Sequence, residues 1–220
     1  MGNLGIVTGL AFEARLLRDG DALIDCAGLL PQAGQLAARR VVERGATALM
    51  SFGIAGGLDP DLAPGTVIVT STILPAVSSS RSNPQRWVEN VRRRIFGALD
   101  RPLAHAARVL ATPDEKAALF AATGAAAADM ESHGIAEIAA AHGLPFLAVR
   151  VIADTAHDRV PSVATKAMTD DGRVRILASV LGALCHPTQI PDLIRLGRQT
   201  DTAKAALRAL ADHPEFYSAA

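Results

Sequence analysis

Cysteine is nearly absent from this chain: Cys26 and Cys185 are the only two in 220 residues. Two thiols so far apart make neither a disulfide framework nor a zinc quartet, and without a local nucleophile signature both read as core residues. Net charge is lacking as well. Lysine plus arginine and aspartate plus glutamate each number 22, which leaves no general basic footprint for nucleic acid. No apolar run is long enough to span a bilayer. The N-terminus has no basic region followed by a long apolar stretch and a cleavage site, so a cytoplasmic protein is expected. There is no G-x-S-x-G elbow for a serine hydrolase. The six histidines are scattered. The segment "DTAHD" brings Asp154, His157 and Asp158 together, but one short cluster is weak ground for a metal centre. Internal repeats and interdomain linkers are missing too. Half of the residues are hydrophobic, enough for one domain over residues 1–220 with a sizeable core.

The apolar pattern alternates between strands and helices. Leu4 to Gly9 and Ala22 to Ala27 read as strands. A helical pattern through Leu36, Ala37, Val41 and Val42 stops near Gly45. Ala48 to Phe52 reads as a strand entering a glycine-rich turn, "GIAGG", and Pro64-Gly65 as a turn before a strand from Thr66 to Ile73. A serine- and proline-rich loop, Pro75 to Pro84, precedes a basic helix from Arg86 to Leu99. Ala106 to Leu110 is a candidate strand. In "TPDE", Thr112 is the N-cap, Pro113 the first helical residue and Glu115 the capping-box partner of a helix ending near Gly124. A short strand to Asp129, a helix to about His142 and a strand to Ile152 follow. Two more helices are expected at Arg173 to Cys185 and Gln189 to Ala211. Such alternation predicts an α/β fold, mostly parallel, with helices on both faces of the sheet.

Ligands of open α/β sheets bind at the carboxyl ends of strands, and several acids fall there. Glu131 lies where a strand turns into a helix, one turn before the core-facing Ile135; the plainer reading is a first-turn acid favoured by the helix dipole. Asp154 leaves the apolar strand "PFLAVRVIA", either as an N-cap or loop residue or as a site acid. Glu13 follows the first strand. Arg150 interrupts an apolar strand and requires an internal carboxylate, which suits a structural role. Gly53 to Gly57 allows close backbone approach and an anion nest, or a plain tight turn. Its glycine spacing is not the dinucleotide fingerprint.

Four segments, "GLAFEARLL", "GIAGGLDPDLAPGTVIV", "DMES" and "VRVIAD", occur in an order and at spacings that resemble the nucleoside phosphorylase/nucleosidase superfamily. The short length, "DMES" and the C-terminal helices are most similar to the hopanoid-associated phosphorylase branch. The resemblance implies a three-layer α/β/α fold around a twisted mixed, mostly parallel sheet, and cleavage of the N-ribosidic bond of an adenosine-type nucleoside, without metal or other cofactor, by a homodimer or larger oligomer. It implies that Met130 lies against the sugar and Glu131 accepts from the ribose hydroxyls, while Asp154 donates a proton to purine N7. Gly53, Ile54, Ala55 and Gly56 would line the substrate. Glu13 matches the glutamate that positions water in the nucleosidases, whereas Ile54 replaces their serine, so water and phosphate both stay open as nucleophile. Arg15 and Arg81 are the candidate cations for a phosphate co-substrate. Within this branch the substrate would be adenosylhopane, used in hopanoid lipid synthesis. A methylthioadenosine/S-adenosylhomocysteine nucleosidase and a non-catalytic nucleoside-binding module are the alternatives. A lipid-like substrate gives Arg86–Leu99 a second meaning. Trp87, Val91 and Ile95 share one face beside several arginines, as in a helix at a membrane interface, although an ordinary surface helix packed on the sheet has the same pattern.

Overall fold

The structure, a computed structural model, describes residues 3–17, 22–28, 30, 32–77, 84–162 and 189–213. Its strands are β1 (Leu4–Thr8), β2 (Leu23–Cys26), β3 (Ala48–Gly57), β4 (Val67–Thr70), β5 (Ile73–Leu74), β6 (Leu103–His105), β7 (Ala127–Asp129) and β8 (Phe146–Asp154). The helices are α1 (Ala11–Ala14), α2 (Ala33–Glu43), α3 (Pro84–Arg94), α4 (Pro113–Thr123), α5 (Ser132–Ala141) and α6 (Ile190–Ala211). The helix expected over Arg173–Cys185 lies outside the described residues.

β3 organises the sheet. It runs parallel to β1 along its first half and to β8 along its whole length, and its last two residues pair antiparallel with β7. β7, β6 and β5 continue in parallel, β2 lies outside β1, and β4 is antiparallel to β8. The sheet is therefore mixed and mostly parallel, as expected. Alternation along the strands feeds two cores. Met50 and Phe52 of β3 pack with Val149 and Val151 of β8 against α3 and α6. Leu49, Ala148 and Ile152 pack against α2 and α5 on the other face. Burial of the apolar faces of four helices on the two sides of one sheet gives the three layers.

Three boundaries differ from the sequence pattern. "GIAGG" is not a turn: β3 continues to Gly57, with a bulge against β8 between Ala55 and Gly56. Glycines carry no side-chain alternation, so the strand is invisible to periodicity there. The expected Thr66–Ile73 strand breaks into β4 and β5 where Thr70 Oγ1 accepts the Thr72 N–H at 3.2 Å. The strand sought at Ala106–Leu110 lies earlier, at Leu103–His105; after Ala106 donates to the Asp129 carbonyl the chain departs and becomes cavity wall.

α3 ends at Arg94, ahead of a turn in which Gly97 takes φ +77°. Trp87, Val88 and Val91 are buried in the core, so the face read above as a membrane-interface candidate is turned to the sheet. Phe96, in the following turn, is fully exposed, with Arg92, Arg93 and Arg94 exposed just before it.

Candidate active site

β1, β3, β7 and β8 deliver their C-terminal ends to one region, and a cavity of about 420 Å³ opens there. Glu13, Ile54, Ala55, Gly56, Met130, Glu131 and Asp154 all line it. Gly53 lies beneath the wall: a Cβ on it would come within 2.4 Å of both the Glu13 carboxylate and the Arg150 guanidinium.

Glu13 is held by backbone. Its Oε2 accepts the N–H groups of Gly9 and Leu10 at 3.0 and 2.8 Å, and Oε1 accepts that of Ile54 at 2.8 Å. The single turn α1 places it, 1% exposed, over β3. Burial raises its pKa, opposed by Arg150 and by those amides. The anion nest anticipated at "GIAGG" is thus not available to a ligand through Ile54, because Glu13 already takes that amide.

Glu131 is the N-cap residue of α5, yet its side chain does not cap the helix. Asp129 does that work, accepting the Glu131 and Ser132 N–H groups at 3.1 and 2.8 Å. The Glu131 carboxylate is left to the cavity, against Gly9, where an added Cβ would fall 2.8 Å from it. Burial, with the charges of Asp129 and Glu13, pushes its pKa up to about 8 against the pull of Arg150. Arg150, 1% exposed, finds the partners its sequence position required: Nε donates to Asp129 Oδ2 at 2.7 Å, and Nη2 donates to Ser51 Oγ at 2.7 Å and lies 3.4 Å from Glu131.

Asp154 is the last residue of β8. The sequence pattern missed its partner, Lys116 of α4, whose Nζ donates to Asp154 Oδ2 and to the carbonyls of Thr155 at 2.6 Å and Asp158 at 3.2 Å. Burial raises the Asp154 pKa, opposed by Lys116. The reciprocal capping at Thr112 and Glu115 is present, with distances of 3.3 and 3.0 Å. It fixes the start of α4 at Pro113, three residues before Lys116. Leu119 and Phe120 pack inward on the same helix, so Lys116, one turn earlier, shares their face. That spacing was the available signal.

Asp158 is engaged elsewhere. Its Oδ2 accepts the Thr155 N–H and the Gln199 side chain, and Oδ1 pairs with Arg195 at 2.7 Å. Although burial acts to raise its pKa, these donors hold it below the usual carboxylate value. With His157 exposed and Lys116 on Asp154, the "DTAHD" side chains do not converge. No three-residue metal-ligand group occurs among the described residues. Arg15 is exposed and does not line the cavity, and Arg81 lies outside the described residues.

The far wall was not legible either. Leu193, Leu196, Gly197 and Thr200 of α6 close it, with Leu10, Phe12, Leu58 and Val160 nearby. No helix among the described residues is long and apolar enough to cross a membrane.

Comparison with known proteins bears on the family and the fold. The family model described as phosphorylase superfamily matches residues 7–107 and 79–184, well over half of the chain. No curated protein sequence gives a significant match. Among solved structures, a 5′-methylthioadenosine/S-adenosylhomocysteine nucleosidase from Colwellia psychrerythraea, in complex with adenine, is 17% identical with TM-score 0.61, covering 83% of this chain and 96% of that one. An S-adenosylhomocysteine nucleosidase from Streptococcus pyogenes, bound to 5-methylthiotubericidin, is 21% identical with TM-score 0.59, covering 71% and 85%. A futalosine hydrolase mutant from Helicobacter pylori is 15% identical with TM-score 0.58, covering 69% and 89%. At these identities the likeness speaks for the fold, while the family model spans Glu13, Glu131 and Asp154. The chain belongs to the phosphorylase superfamily.

Proposed function

We propose that this protein hydrolyses the N-ribosidic bond of an adenosine-type nucleoside bearing a large apolar 5′ substituent, releasing adenine. The observation that carries the reading is the convergence of Glu13, Glu131 and Asp154 on one cavity. Glu131 accepts hydrogen bonds from the ribose hydroxyls and, with Met130, sets the sugar. Asp154 protonates N7, so that the base leaves neutral while the sugar becomes oxocarbenium-like. Glu13 orients the attacking water and takes its proton. Simple binding has no need of three buried carboxylates, which disfavours a non-catalytic module.

Water rather than phosphate follows from charge. Glu13, Asp129 and Glu131 surround one guanidinium, and Glu13 consumes the Gly9, Leu10 and Ile54 amides. A phosphate dianion would meet repulsion and find these donors already taken. The 5′ group is assigned to the leucine-rich wall of α6, where Leu193 and Leu196 accompany Phe12 and Leu58; adenosylhopane is the extreme example of such a substrate.

The source of that substrate bears on location. With the apolar face of α3 buried, contact with an anionic bilayer falls to Phe96 and Arg92–Arg94. Adenine release is to be compared for 5′-methylthioadenosine and a long-chain 5′-alkyl adenosine, alongside sedimentation with anionic liposomes. Preference for the alkyl nucleoside and co-sedimentation lost in Phe96→Ser are expected. Preference for methylthioadenosine without liposome binding would reduce the assignment to a methylthioadenosine/S-adenosylhomocysteine nucleosidase. No adenine from any nucleoside would remove it.

A further inference from the structure

A lysine with 1% of its surface exposed is unusual, because an ammonium taken from water must be compensated. Lys116 is compensated fully: it has three N–H donors, and Asp154 Oδ2, the Thr155 carbonyl and the Asp158 carbonyl accept them. None is left for a substrate. Its location is equally specific, since the carboxylate it touches is the one assigned above as proton donor, and the two carbonyls belong to the segment that follows that residue. The helix presenting it is anchored by the capping box immediately before it.

We propose that Lys116 is the positioning residue of the proton donor: its ammonium orients Asp154 and neutralises the carboxylate formed when the Asp154 proton passes to the base. In that step the O–H bond of Asp154 breaks and an N7–H bond forms. The electron pair of the glycosidic bond moves into the purine, and the negative charge left on Asp154 rests beside the ammonium, which keeps all three protons. An acid buried without such a counter-charge would be held too strongly to its proton to give it up. The other charged groups around Asp154 do not substitute. Asp158 is like-charged and bound to Arg195. Arg108 is paired with Glu115, and Lys204 with Asp201. Glu13, Asp129 and Glu131 are grouped around Arg150.

The inference rests on the cleavage chemistry proposed above, and the pH profile of adenine release from an accepted nucleoside separates the two. Asp154 acts in its protonated form, so kcat/KM falls as pH rises through its pKa. Removing the ammonium in Lys116→Met should move this basic limb upward by about one to three pH units and lower kcat by about tenfold to a hundredfold. Lys116→Gln, which keeps a donor for the two carbonyls but no charge, should shift the limb in the same direction and serves if the methionine variant does not fold. Lys116→Arg should restore the limb and most of kcat. A folded neutral variant with reduced kcat and an unmoved limb would make Lys116 a strap for the 154–158 segment and overturn the proposal. Absence of release by the unaltered enzyme would instead defeat the cleavage reading.

Discussion

Each end of the cavity sets two acids near one buried cation, and the ends differ in how the cation is used. At one end the carboxylates of Asp129 and Glu131 share Arg150; at the other Lys116 takes the Asp154 carboxylate and the backbone carbonyl of Asp158, whose own carboxylate pairs with Arg195. In each pair one acid is committed to the backbone, Asp129 to the start of α5 and Asp158 to Thr155, and the other faces the cavity. Guanidinium is planar, permanently charged and suited to gripping several partners at once, whereas ammonium is a compact point charge. The arginine end thus suits a fixed frame for binding, and on the cleavage chemistry proposed above the lysine end is where charge changes during reaction.

Breaking the frame should have the largest effect. Arg150→Leu leaves Glu13, Asp129 and Glu131 buried around no cation, and a loss of about 3–5 kcal/mol of folding stability is expected. Urea denaturation measures it; a folded variant within about 1 kcal/mol of the parent would show that Arg150 is not the frame. Asp154→Asn acts at the other end and is read in activity first. Adenine release should fall by roughly 10²–10⁴-fold, with a melting temperature lowered by less than in Arg150→Leu, since Lys116 loses its counter-charge but keeps two carbonyl acceptors and the asparagine amide oxygen. Near-normal turnover would take Asp154 out of the mechanism. Glu13→Gln should slow release on the order of a hundredfold with KM little changed, because its carboxylate is assigned to water rather than to the nucleoside.

The smallest effect sharpens the comparison through pH. Glu131 binds its proton more tightly in the folded chain, where burial pushes its pKa up to about 8 from an ordinary 4.5. Between those values the native state holds more protons than the unfolded one, so stability present below the unfolded value is lost as pH rises through the folded one. Thermal melts at pH 5 and pH 8 should therefore differ less in Glu131→Gln than in the parent. An identical difference in both would mean that Glu131 is not the group responsible.

What the sequence disclosed follows from side-chain pattern. β8 was legible because "PFLAVRVIA" is an apolar run that ends in an acid, and α4 because its capping residues stand at fixed spacing. Arg150 announced its need for a carboxylate by interrupting that run. Pattern failed where side chains are small or the informative residue looks ordinary. The glycines ending β3 removed the alternation that would have marked a strand, and β6 is three residues long. Lys116 resembled any surface lysine of a helix until α4 was set against β8. The far wall of the cavity comes from α6, more than thirty residues beyond Asp154 in sequence, a long-range meeting that no local spacing encodes.

The proposed cleavage turns on water as the nucleophile, and isotope labelling tests it most directly. Adenine release from an accepted nucleoside is followed in phosphate-free H₂¹⁸O, and the sugar product is analysed by mass spectrometry. The arrangement of Glu13 predicts turnover at a rate unaffected by added phosphate, with one ¹⁸O at the anomeric carbon of the free sugar. Turnover only when phosphate is supplied, yielding a sugar 1-phosphate without label from water, would contradict it.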